Sequence, residues 1–195
     1  MLINNMAQFT SRIKENGGGH ILYFSDSEDQ YVANAVEFII SGIKEGEHIL
    51  FVENDRLYPR IADQLVTRLT TEEIKRIQAI NNFDFYCSEG NFHPVTILNF
   101  FFNTIDPYYE KKLIIRAWGH VEWGSQQDIE RTIASFEFEL DRLMPEMDMV
   151  AVCAYNSDRV SDDLREKLMN CHGYLMTDSD ILALSEKEAE LTGEL

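Results

Sequence analysis

The densest group of chemically capable side chains is the segment RAWGHVEWG, residues 116–124, which carries Arg116, Trp118, His120, Glu122 and Trp123. Arg116 interrupts an apolar run, and an unpaired guanidinium is costly there. It therefore requires a carboxylate or a bound anion, and Glu137 is the expected partner. Trp118 and Trp123 can line an aromatic pocket to which His120 and Glu122 add polar contacts; the alternative is that both tryptophans merely cap a sheet edge. A second group is SDSEDQY, residues 25–31, directly after the apolar run HILYFS. A phosphate-binding loop at this place needs GxxxxGK[ST], so that backbone amides and a lysine hold phosphates. Here there is neither glycine nor lysine, and Asp26, Glu28 and Asp29 would repel a triphosphate. These carboxylates fit either a metal site or, more simply, an N-cap with a solvated acidic first turn.

Other catalytic signatures are missing. The five histidines show no HExxH spacing, and GxSxG is absent. Cys87, Cys153 and Cys171 are an odd set without a CxxC, each beside apolar residues, and read as buried free thiols. A Cys/His catalytic pair would need His120 or His172 beside a cysteine in space. Spacing therefore assigns no metal site, no cofactor and no catalytic residue.

The elements that position these groups alternate. Residues His20–Ser25, His48–Glu53, Phe83–Cys87, Lys112–Trp118 and Met147–Tyr155 read as strands, and Gly173–Met176 as a short extended piece. Between them lie amphipathic stretches at about 28–44, 57–69, 94–109, 126–143 and 161–170; Ile74 and Ile77 suggest a short continuation of the second. The strands are apolar throughout rather than alternating. This predicts an α/β fold, a three-layer α/β/α sandwich around one mainly parallel sheet. In such sheets ligands bind beyond the carboxyl ends of the strands. Those ends carry Ser25 and Asp26, Glu53 and Asn54, Ser88 and Glu89, Trp118–Trp123, and Tyr155–Asp158. Residues 1–19 read as a lead-in ending in a glycine hinge, 20–177 as the domain, and 178–195 as an acidic tail, either helical through Ile181, Leu182, Leu184 and Leu191 or frayed.

Composition narrows the function. The 195 residues, 45% hydrophobic and 11% aromatic, suffice for one substantial core. Acidic residues outnumber basic ones 34 to 17, a formal charge of −17, which argues against direct binding to nucleic acid or to anionic membranes. No run approaches the ~20 apolar residues of a membrane span, nor is there a signal peptide, so the cytoplasm is the expected compartment.

The segments HILYFSDSEDQY, FIISGIKEGEHILFVEND, LIIRAWGHVEW, SFEFELDRL, VCAYNSDRV and CHGYL, in this order, resemble the methanogen/methylotroph (MEDS) sensory domain family. The resemblance runs from about His20 to Leu175. It implies a degenerate relative of RecA/KaiC-like ATPases without a P-loop, with Gly42, Gly46, Glu47 and Glu53 in a KaiC-like helix–turn–strand. It also implies the sensing of small, hydrocarbon-derived ligands and relay to a DNA-binding, kinase or sigma-factor-regulating protein. The positions carried over are His20, Tyr23, Arg116, Gly119, Trp123, Glu137, Cys153, Tyr155 and His172. His120 stands where the family often has an acidic residue, with Glu122 as a substitute.

Together these readings predict a non-catalytic sensory or regulatory domain. Its ligand site is expected among His20, Tyr23, Asp26, Arg116, Trp118, His120, Glu122, Trp123, Glu137, Cys153, Tyr155 and His172. The expected partners are a small molecule and a regulatory protein, with a homodimer as a further option. A nucleotide-binding ATPase with an atypical phosphate site, or a purely protein-binding module, is the alternative.

Overall fold

The computed structural model describes residues 2–184, with side chains from Met6 onward. Helix α1 (Leu2–Glu15) leads into β1 (Gly19–Ser25), followed by α2 (Glu28–Lys44) and β2 (His48–Glu53). Then come α3 (Tyr58–Leu65), α4 (Thr71–Ile74), β3 (Ile77–Asn81), α5 (Asn82–Tyr86), α6 (Pro94–Glu110) and β4 (Ile115–His120). The remainder is α7 (Ile129–Met147), β5 (Val150–Asn156), α8 (Asp162–Met169), β6 (Tyr174–Met176) and β7 (Ile181–Ala183).

The seven strands form one sheet in the order β3-β2-β4-β5-β1-β6-β7, parallel except for the β6–β7 pair. Central strands β1, β2, β4 and β5 are buried on both faces, which explains their unbroken apolar character. Two cores result. On one face α1, α2 and α3 cover Ile21, Tyr23, Ile49, Phe51, Trp118 and Val152. On the other, α5 through α8 cover Leu22, Leu50, Ala117, Ala151, Cys153 and Tyr155. The predicted three layers are present.

Three local readings need correction. Phe83–Cys87 is not the third strand: Asn81 caps helix α5 by accepting from the amides of Phe83 and Asp84, and the strand is the preceding Ile77–Asn81. At the sheet edge that strand is only partly buried and includes Gln78 and Asn81, so its apolar signal is weak. Ile77 accordingly belongs to a strand rather than to a helical continuation. Ile181–Ala183 is a strand paired with β6, not a helical turn, while Leu191 lies outside the described residues.

The lead-in is integrated as well. Met6, Thr10 and Ile13 of α1 are fully buried against α2. Gly17 and Gly18, both at positive φ, turn the chain into β1, and a Cβ on Gly18 would stand 2.4 Å from the Met149 carbonyl oxygen.

Arg116 is buried beneath α2, but its partner is not Glu137. Its Nε meets Glu47 and its Nη2 lies 3.1 Å from Glu45, while Nη1 donates to Ser41 Oγ at 3.0 Å and Thr10 Oγ1 at 3.3 Å. Parallel pairing sets Ile49 opposite Arg116, so Glu47, two residues earlier and just before β2, lies diagonally within reach of the guanidinium. Gly42 leaves the space that this requires, since a Cβ there would lie 2.7 Å from Arg116 Nε.

Candidate functional site

The carboxyl ends of β1, β2, β4 and β5 border a cleft of about 190 Å³ lined by Ser25, Asp26, Tyr31, Arg56, His120 and Asp158 among others. Its floor is a relay of hydrogen bonds. Trp118 Nε1 donates to Tyr31 Oη at 2.8 Å, Tyr31 donates to Glu53 Oε2 at 2.5 Å, and His120 Nδ1 lies 2.7 Å from Glu53 Oε1. Glu53 also accepts from the Asn54 amide at 2.8 Å, and Asn82 donates to the His120 carbonyl at 3.1 Å. Burial, reinforced by the charge of Glu53, pushes the Tyr31 hydroxyl well above its ordinary pKa, so it stays a donor. His120 itself lines the cleft.

The loop after β1 is closed by the protein itself. Asp178, from the β6–β7 connection, accepts through Oδ2 from the amides of Asp26 at 3.2 Å and Ser27 at 2.8 Å. Its Oδ1 accepts from Tyr23 Oη at 2.7 Å. An anion position before α2, where a P-loop would cradle phosphate, thus holds a carboxylate of the same chain. Ser27 caps α2 by accepting from the Gln30 amide, so the N-cap is realised. Glu28 and Asp29 pair with Arg56 and Arg60 across the cleft rim. Sequence inspection assigned Asp178 to the tail and gave it no role.

The remaining candidates separate into other environments. Trp118 is fully buried on the α2 face, whereas Trp123 packs on the opposite core, 5.9 Å from the Tyr155 ring, and stacks on Arg159 at 4.0 Å. The two indoles therefore share no wall. Glu122 Oε1 receives Arg159 Nη1 at 2.6 Å. Arg116 lies at the other end of β4, away from the cleft.

His20, Glu137, Cys153, Tyr155 and His172 converge beneath α7. His20 Nε2 is 3.3 Å from both Glu137 Oε2 and Cys153 Sγ, His172 Nε2 is 3.7 Å from Glu137 Oε2, and Tyr155 donates to Glu137 Oε1. Burial alone would lower the pKa of His20, but the carboxylates of Asp141 and Glu137 raise it. Burial, helped by the charge of His20, brings His172 down to about 3. Burial would raise Glu137, yet the two histidines and Tyr155 hold it below its ordinary value. The Cys153 thiol is driven far up by burial and by Glu137, and is no nucleophile.

Among curated proteins none matches the chain. Among solved structures it is similar to a KaiC-like protein from the hyperthermophilic archaeon Pyrococcus horikoshii OT3. That pair has 16% identity and a TM-score of 0.53, covering 82% of this chain and 70% of the other. It is also similar to a unique ATP synthase subunit, NeqB, from Nanoarcheaum equitans, at 10% identity and a TM-score of 0.50, covering 90% of this chain and 54% of that one. At such identities the likeness shows the fold, which is RecA/KaiC-like. The sequence profile described as "MEthanogen/methylotroph, DcmR Sensory domain" matches residues 19–173, most of the chain. With β1 through β5 and the residues converging on Glu137 inside that span, the chain belongs to the MEDS sensory domain family.

Proposed function

We propose that this domain senses a small neutral or cationic molecule in the cleft at the carboxyl edge of its sheet and relays binding to a regulatory protein, without hydrolysing nucleotides. The observation that carries the proposal is Asp178. Its carboxylate satisfies the Asp26 and Ser27 amides, so a phosphate would have to displace it while meeting Asp26, Glu28 and Asp158 nearby. The acidic rim favours a ligand without strong negative charge. Because Asp178 also ties the β6–β7 connection to Tyr23 and the loop before α2, a ligand that shifts this loop shifts the C-terminal strands with it. That is a route from cleft to partner.

The test is a thermal-shift and tryptophan-fluorescence screen of small neutral and cationic compounds beside ATP and GTP. Trp118 reports on the cleft through Tyr31, so binders should change its emission, and His120→Ala should weaken binding while the circular dichroism stays native. Saturable binding confined to nucleotides would refute the proposal and favour the ATPase reading that the RecA-like fold keeps open.

A further inference from the structure

We propose that His20, Glu137, Cys153 and His172 form a buried four-donor site for a divalent transition-metal ion, zinc(II) by the character of its donors. It lies on the opposite face of the sheet from Tyr31 and Trp118, and is independent of the cleft.

The donors come from four separate elements: His20 from the start of β1, Cys153 from the middle of β5, Glu137 from α7, and His172 from the turn after α8. One ligand atom from each lies within 4.8 Å of all the others. Tetrahedral zinc, with bonds of about 2.0–2.3 Å, sets its donors about 3.3–3.7 Å apart. Three of the six donor separations, at 3.3, 3.3 and 3.7 Å, fall on this spacing, and the others lie within 4.8 Å, so a bound ion would draw the donors together.

Hydrogen bonding makes the case stronger. His172 Nδ1 lies 2.7 Å from the carbonyl oxygen of Leu168, which can only accept, so Nδ1 carries the hydrogen. Nε2 then presents a lone pair to Glu137 Oε2, itself a lone-pair atom. Both are buried and, among the described residues, without a hydrogen-bond partner. Two acceptors facing each other in a low-dielectric interior repel, and the positive charge that relieves this is either a proton on His20, 3.3 Å from Glu137 Oε2, or a metal ion that takes the proton's place. The Leu168 carbonyl on His172 and Tyr155 on Glu137 Oε1 are the outer partners that orient metal ligands, while Asp141, 3.5 Å from His20 Nδ1, contributes charge without a hydrogen bond.

Two anionic donors, the Glu137 carboxylate and the Cys153 thiolate, match the charge of a divalent ion. The nitrogen, oxygen and sulfur donors together suit zinc(II), or iron(II) and cobalt(II) in its place. Binding deprotonates Cys153, so it releases a proton and weakens in acid. All four positions are protein donors, as in structural rather than catalytic sites. An ion here would clamp α7 and the turn after α8 to the sheet. A surface cleft of about 340 Å³, lined by Gly18, His20, Asp141, Met144 and Gly173 among others, provides the entry path.

Cobalt(II) is the probe, added to chelator-treated full-length protein. About one equivalent should bind, raise the melting temperature, and produce both a thiolate-to-cobalt charge-transfer band and the strong visible absorption of tetrahedral cobalt. Cys153→Ala and the nearly isosteric Cys153→Ser should abolish the charge-transfer band while keeping native circular dichroism, and Cys171→Ala should retain it. His172→Gln should weaken binding by at least about tenfold. Absence of the band in the wild type, or its survival in a folded Cys153 variant, would overturn the assignment. Neither result depends on any ligand in the cleft, so this site and the cleft fail or stand separately.

Discussion

Replacing Arg116 with alanine removes a guanidinium that is 1% exposed and holds together β4, α1, α2 and the turn before β2. Among the described residues, Glu47, equally buried, would keep only the ion pair with Lys14, whose side chain is 26% exposed. Breaking a buried pair from one side costs about 3–5 kcal/mol, and the orphaned Ser41 and Thr10 contacts add to the loss. At about 2–4 °C per kcal/mol for a chain of this size, the melting temperature should fall by about 6–20 °C. Urea unfolding, with the midpoint moved and the slope unchanged, measures the effect as stability rather than altered compactness. Gly42→Ala supplies an internal control. Its Cβ would meet Arg116 Nε at 2.7 Å and Ile49 Cδ1 at 2.8 Å, an overpacking cost of about 1–3 kcal/mol. In the Arg116→Ala background the first clash disappears, so the two losses should be markedly less than additive. A loss below about 0.5 kcal/mol for Arg116→Ala, or strict additivity with Gly42→Ala, would refute the buried plug.

Asp178→Ala should release the β6–β7 connection, costing about 1.5–3 kcal/mol locally for the lost charged contacts, and amide hydrogen exchange across 174–184 should quicken; unchanged protection would count against the latch. Trp118→Phe, which removes the donor to Tyr31, should be tolerated as a fold while altering the cleft floor, seen as a loss of His120-dependent ligand binding. At alkaline pH, burial raises Tyr109 to about 12 from its ordinary 10.0, and burial also holds Tyr31, Tyr86 and Tyr155 well above it. Their folded pKa values exceed the unfolded ones, so this stability is complete below about pH 10 and lost as pH rises through the folded values. Phenolate absorbance should therefore appear in two stages, exposed tyrosines first and the buried ones only with unfolding. A single early stage would contradict the burial.

How much of this was legible beforehand depended on how strongly each residue's surroundings constrain it. Strands buried on both faces announce themselves, as HILYFS and VAVCAYN do, because every position must be apolar. The edge strand Ile77–Asn81 did not, and the aromatic Phe83–Tyr86 beside it looked more strand-like than it is. Need for a carboxylate beside Arg116 was readable from burial cost alone. Its identity was not, because Glu45 and Glu47 look like ordinary turn residues until parallel register aligns β2 with β4. His20, Glu137, Cys153 and His172 were named through family resemblance, yet nothing in their spacing shows that one atom from each meets within a few ångströms. Asp178 had the least signal of all. It begins an acidic stretch, and only the antiparallel return of β7 brings it over the loop before α2.

The central claim is that this RecA/KaiC-like scaffold serves sensing with its phosphate position closed. Its most direct test is steady-state phosphate release from ATP and GTP by the purified full chain with magnesium, compared with Asp26→Ala and Glu28→Ala. The predicted result is release no faster than the protein-free control for either nucleotide. Sustained turnover by the wild type, abolished in those variants, would contradict the account.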